Sequence, residues 1–99
     1  MKRPVEFTTP ALRDLAQAYV WYEARRRGLG AELVQALEEQ LERISEHPNH
    51  FPVVVRDARR ALLKRFPYSV PFREEGGKIV VLGVLHTSRN PAILRRRVP

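Results

Sequence analysis

Two cation-rich phrases hold most of the chemically capable side chains of this sequence. The first is Arg59-Arg60-Ala61-Leu62-Leu63-Lys64-Arg65-Phe66-Pro67-Tyr68, and the second is Val84-Leu85-His86-Thr87-Ser88-Arg89-Asn90-Pro91. Read as strands, which rise about 3.3 Å per residue and send alternate side chains to opposite faces, they bring Arg60, Lys64 and Arg89 to one surface while Leu63 and Phe66 help to form a core. Such a surface grips phosphates or a run of carboxylates. Proton transfer needs other groups. A guanidinium stays protonated in proteins, so Arg59, Arg60, Arg65 and Arg89 can hold or stabilise anions but cannot act as a base. Lys64 becomes a base only where neighbouring cations lower its pKa, which leaves His86 and Tyr68 as the remaining proton carriers. Each reads first as structural: His86 ends an apolar strand, and Tyr68 stands at a strand junction where its ring can pack against helices.

The charge is unevenly placed. The net charge is +7, yet residues 1–58 carry eight Lys/Arg against nine Asp/Glu, whereas residues 59–99 carry ten Lys/Arg against only Glu74 and Glu75. A field of this kind steers a protein toward a polyanion, either nucleic acid or an acidic protein segment. Arg95-Arg96-Arg97 extends the basic half as a frayed tail or as a clamp for the same partners.

Several classes are set aside. With 99 residues and no cysteine, the sequence reads as a single domain over 1–99, without disulfides or a thiolate metal site. The longest apolar run, 79–85, is far shorter than the roughly 20 residues of a membrane-spanning helix. Met1-Lys2-Arg3-Pro4 leads into no signal-like stretch, so a soluble, cytoplasmic protein is expected. His47 and His50 flank Pro48 with no acidic or histidine partner at helical spacing, so a solvated loop is expected there rather than a metal site. No glycine-rich phosphate loop, Ser-His-Asp spacing or cofactor fingerprint is present, and no cofactor is expected.

The elements that must position these residues follow from periodicity. Val5-Glu6-Phe7 reads as an opening strand, and Thr8-Thr9-Pro10 supplies a helix cap with proline in the first turn. In the first helix Leu12, Leu15, Ala16, Tyr19 and Tyr22 form the apolar stripe, with Arg13, Asp14, Gln17 and Glu23 off it. Tyr19, Trp21 and Tyr22, which could form a base-stacking platform, are read as core. Gly28-Leu29-Gly30 breaks the pattern. A second helix places Leu33, Leu37, Leu41 and Ile44 on one face and the glutamates 38, 39, 42 and 46 elsewhere, ending at Pro48. So short a link implies an antiparallel helix hairpin. Val53-Val54-Val55 and a turn at Arg56-Asp57 lead to three strands, 60–66, 68–73 and 78–87. The last two are joined by Glu74-Glu75-Gly76-Gly77, a hairpin signal. Strand 78–87 is expected to be central and covered on both faces, and Pro67 and Pro71 imply an edge or a bulge. The order β-α-α-β-β-β gives an α+β domain, an antiparallel sheet packed against an N-terminal helix hairpin.

This order and several local phrases resemble the RelE/ParE superfamily of toxins from bacterial type II toxin–antitoxin modules. The phrases are Phe7-Thr8-Thr9-Pro10-Ala11 with Asp14-Leu15, Trp21-Tyr22-Glu23, Gly28-Leu29-Gly30, Ile44-Ser45-Glu46-His47-Pro48, and the two cation-rich phrases above. The resemblance spans nearly the whole chain. It implies growth inhibition by one of two routes: ParE-like members poison DNA gyrase, and RelE-like members cut messenger RNA in the ribosomal A site. It also implies a cognate antitoxin, DNA-binding and ParD- or RelB-like, in a toxin–antitoxin hetero-oligomer.

Cutting RNA through its 2′-hydroxyl needs a base, cations for the five-coordinate phosphate and an acid for the leaving oxygen. The nuclease candidates are Lys64, Arg65, His86 and Arg89. The resemblance further implies that RelE-like nucleases gather several lysines, arginines and a C-terminal tyrosine on one sheet face. This sequence has no tyrosine after Tyr68, and beyond Lys2 its lysines are Lys64 and Lys78. The ParE-like reading is therefore favoured, with Arg59, Arg60, Lys64, Arg65, Arg89, Arg95, Arg96 and Arg97 expected to meet target or antitoxin. A plain nucleic-acid-binding module using the same basic strands is the alternative from another class.

Overall fold

In the computed structural model, which describes residues 2–99, the chain runs β1 (Val5–Phe7), α1 (Thr9–Arg25), α2 (Leu29–Glu46), a 3-10 turn (Pro48–His50), β2 (Val53–Val55), β3 (Ala58–Leu62), β4 (Tyr68–Glu75), β5 (Lys78–Val81), β6 (Leu85–His86) and α3 (Ala92–Arg97). The strands pair in the order β1-β5-β4-β3-β2, and β6 joins β4 on the same side as β5. This is the expected α+β fold, with a helix hairpin on one face of an open sheet. One pairing departs from the antiparallel expectation: β1 runs parallel to β5, with Val5 opposite Ile79 and Phe7 opposite Val81. The helix hairpin separates β1 from the other strands in sequence, so no tight turn dictates its direction.

Local chemistry explains the hairpin. Thr8 Oγ1 accepts the Ala11 N–H at 3.3 Å and caps α1, while the Thr8 N–H donates to the Val81 carbonyl at 3.1 Å and ties that cap to the sheet. At the other end, the Glu23 carboxylate accepts the N–H groups of Gly28 and Gly30, each at 3.0 Å. It thereby satisfies donors that the start of α2 would leave unpaired. Gly30 has a second reason to be glycine: a Cβ there would lie 2.7 Å from the ring of Tyr19.

The face of α1 that turns inward differs from the expected one. Ala11, Asp14 and Ala18 are buried, with Leu15 and Tyr22 partly so. Leu12, Ala16 and Tyr19 are exposed, Leu12 by 53%. Apolar residues lie on both sides of this helix, so the stripe alone could not say which side packs. α2 behaves as expected: Leu33, Leu37 and Ile44 are buried against Val70, Phe72, Ile79 and Val81 of the sheet. Each such side chain contributes about 1.5–3 kcal/mol on burial.

The strands are shorter and more numerous than expected. Val53–Val55 is itself a strand; the first of the three expected strands ends at Leu62, and residues 63–67 turn, with Arg65 at φ 70°. The expected strand 78–87 divides into β5 and β6. Pro71 explains that division. β4 is a central strand, and the Pro71 carbonyl accepts the Leu82 N–H at 2.8 Å. Leu82 stands opposite Pro71 at a hydrogen-bonded position, so the bond that a residue-71 N–H would donate back to the Leu82 carbonyl is missing, and Arg97 donates to that carbonyl instead at 3.0 Å. Gly76 and Gly77 turn the β4–β5 hairpin at φ 58° and 80°, the two positive values a two-residue type I′ turn needs.

α3 covers the opposite face of the sheet. Ala58, Leu82 and Val98 are buried there, with Val55, Val80 and Leu94 packed against them. The apolar run 79–85 is thus covered on both sides, and the basic phrase 95–97 is helical rather than frayed. Among the described residues no helix is long and apolar enough to cross a membrane.

Candidate functional site

The hairpin and the sheet meet at a cleft of about 410 Å³ between α1 and β6. Asp14, Gln17, Ala18 and Trp21 line it at i, i+3, i+4 and i+7 spacing, one face of a helix. Opposite them stand Tyr68 and His86, direct partners across β4 and β6, with their rings edge to face at 5.2 Å. The turn after β6, closed by the Arg89 N–H donating to the His86 carbonyl at 3.0 Å, brings Ser88 and Arg89 to the same cleft.

Trp21 corrects the expectation of a core side chain. It is 49% exposed and lines the cleft, and Tyr19 is exposed as well, whereas Tyr22 does pack against the core, meeting Phe66 edge to face at 5.1 Å. The Arg25 guanidinium lies 3.3 Å over the Trp21 ring. His86 Nδ1 accepts the Ser88 N–H at 3.1 Å and stands 2.7 Å from the Ser88 hydroxyl. The neutral ring therefore carries its proton on Nε2. The Tyr68 hydroxyl is pushed above its ordinary value by burial first and by neighbouring Tyr22 next, with Arg89 opposing, so it holds its proton more firmly than a free phenol.

The deepest charge here was not anticipated. Asp14, read as lying off the buried stripe, is buried, and its carboxylate accepts the Val84 N–H at 3.1 Å and both terminal nitrogens of Arg97 at 2.8 and 3.2 Å. Arg97 also donates to the Leu82 carbonyl at 3.0 Å. A Cβ on Gly83 would lie 2.9 Å from the Arg97 guanidinium. This pair joins α1, the break between β5 and β6, and α3. Its members are 83 residues apart, and no local pattern links them.

The other basic residues do not converge. Arg60 points to the sheet face that α3 covers, since it pairs with Pro71 and shares its face with Ala58. Lys64 and Arg65 line a separate groove of about 280 Å³ beside Gln35, Ala36 and Glu39 of α2, and Arg65 pairs with Glu32 at 3.4 Å. Arg89 lies in the α1 cleft. The single surface expected for Arg60, Lys64 and Arg89 does not form, because β3 ends before Lys64. Arg59 donates to the Phe51 carbonyl at 2.7 Å. Arg60, Lys64, Arg89, Arg95 and Arg96 form no ion pair among the described residues. His47 and His50 stack at 4.6 Å, and among the described residues no three His, Cys, Asp or Glu side chains are placed to hold a metal ion.

Comparison with known proteins decides the family. The family model described as the ParE toxin of the type II toxin–antitoxin system parDE matches residues 5–91. This chain belongs to the ParE toxin family. Its fold is similar to a solved chain of the chromosomal ParDE toxin–antitoxin system from P. aeruginosa, with a TM-score of 0.76 and 26% identity over 88% of this chain and 98% of that one. No curated protein matches significantly. A type II toxin of the ParE family thus carries unpaired cations in separate places, an aromatic cleft and an exposed apolar stripe on α1 that includes Leu12 and Val20, the latter 66% exposed.

Proposed function

We propose that this toxin arrests bacterial growth in the cytoplasm by acting on DNA gyrase, and that a cognate ParD-like antitoxin holds it silent. The observation that supports the gyrase route is the separation of Lys64 and Arg65 from His86 and Arg89. Ribosome-dependent cutting of messenger RNA needs base, acid and phosphate-holding cations around one scissile bond. Here Lys64 and Arg65 line one groove while His86 and Arg89 line another. The RelE-like reading, built on those four residues, has no common site from which to act.

Arg60, Lys64, Arg89, Arg95 and Arg96, without acidic partners of their own, attract the target and the carboxylates of the antitoxin. An amphipathic antitoxin segment covers the apolar stripe of α1, where Leu12 and Val20 would otherwise stay in water. Growth tests this reading. Expression of the chain alone is expected to halt a bacterial culture, and co-expression of the adjacent antitoxin gene to restore it. Normal growth with confirmed soluble protein would contradict toxicity and favour a non-toxic nucleic-acid-binding module.

A further inference from the structure

The α1–β6 cleft has features that toxicity does not require. Its volume of about 410 Å³ falls within the ~300–1,000 Å³ of small-ligand sites. Trp21 offers the cleft an aromatic surface. Arg25 lies over that indole at 3.3 Å, donates to the Trp21 carbonyl at 3.1 Å and does not line the cleft. Arg89 makes no side-chain hydrogen bond or ion pair among the described residues, which leaves its forked donors available for a phosphate. With Nδ1 engaged by Ser88, His86 presents Nε2–H as a further donor. The one carboxylate on the cleft, Asp14, is neutralised by Arg97 and so does not repel an anion.

An aromatic surface beside an unpaired guanidinium suits a ligand that is flat at one end and anionic at the other. We propose that this cleft binds a nucleotide unit, its base stacked on Trp21 and its phosphate held by Arg89 with His86 Nε2–H as second donor. Stacking accepts any base, because every base has a π face, so the site reads a nucleotide rather than a sequence. The inference goes beyond the toxin reading and holds whichever target the toxin has.

Trp21 is the chain's one tryptophan, so its fluorescence reports directly on the cleft. The purified protein would be titrated with uridine monophosphate, uridine and inorganic phosphate, with excitation at the red edge of the indole band. Saturable quenching by the nucleotide is expected, with uridine binding about ten-fold more weakly for want of the charge-assisted contact. Arg89→Ala, at an exposed turn, should weaken the nucleotide about ten-fold and leave uridine unchanged. Lys78→Ala removes a charge outside the cleft, one paired with Glu6, and should change neither. Trp21→Leu, followed by calorimetry, should weaken the nucleotide about ten-fold. A short oligouridylate separates the two sources of such a unit: tighter, strongly salt-dependent binding points to a single strand, and affinity equal to the mononucleotide points to a free nucleotide. Equal affinity for uridine and its monophosphate, equal effects of Arg89→Ala and Lys78→Ala, or no binding by either readout would overturn the proposal.

Discussion

Removing the Asp14 carboxylate is expected to detach α3 from the rest of the fold. In Asp14→Ala the Arg97 guanidinium loses two hydrogen bonds, at 2.8 and 3.2 Å, and the Val84 N–H loses its acceptor at 3.1 Å. Breaking a buried pair by deleting one partner costs about 3–5 kcal/mol, because the surviving charge stays poorly solvated. The Arg97 side chain keeps 20% of its exposure and Asp14 only 7%, so the freed cation can partly rehydrate. The cost should therefore lie near the lower end, about 3 kcal/mol. For a domain of this size that corresponds to a fall in Tm on the order of 15 °C. Circular dichroism under heat and urea measures it, and a cycle with Arg97→Ala and the double variant isolates the pair. Arg97→Ala alone leaves Asp14 buried without its cation, so the double variant should be more stable than the summed losses imply, by about 1–3 kcal/mol. Additive losses, or an Asp14→Ala protein within about 0.5 kcal/mol of the parent, would refute the claim that this pair fastens α3.

Three further outcomes are expected. The N–H groups of Gly28, then Gly30, hold the Glu23 carboxyl below its ordinary value of 4.5; its stabilising effect is thus complete at neutral pH and fades as pH falls through the depressed folded value. Glu23→Gln should lower Tm at neutral pH by an amount that shrinks in acid, which a pH series of melting curves would show. Gly30→Ala, whose new methyl meets the Tyr19 ring at 2.7 Å, should cost about 1 kcal/mol, the low end for overpacking because the exposed ring can swing aside; urea titration checks this. Association with the antitoxin, followed by stopped flow, should slow as ionic strength rises, since screening weakens steering by the unpaired cations, and a rate indifferent to salt would remove them from the encounter.

Much of this fold was legible because its signals are local. Thr8 before Pro10, the glycines at 28 and 30, and the Gly76-Gly77 turn each need only their neighbours to be understood, and together they define the hairpin and one strand pair. The inward side of α1 is not legible in the sequence because the helix is apolar on both sides. The inward line, Ala11, Asp14 and Ala18, is small and includes a charge, while the outward line, Leu12, Ala16 and Val20, looks more like a core. Asp14 becomes intelligible only with Arg97, and no periodicity connects them. The candidate site suffered from the same non-locality. Arg65 adopts a positive φ that ends the strand before Lys64, and Pro71 places a break in the sheet that sends His86 and Arg89 toward Trp21. Composition located the basic half correctly but could not say that its cations point into different grooves.

The most direct measurement is a supercoiling assay with purified gyrase, run beside a ribosome-programmed messenger RNA cleavage assay with the same toxin preparation. Inhibited supercoiling or trapped, cleaved DNA is expected, relieved by the antitoxin, with messenger RNA left intact in the presence of ribosomes. Codon-positioned cleavage of messenger RNA that is lost in Lys64→Ala or Arg89→Ala, with gyrase unaffected, would contradict the account and restore the nuclease reading.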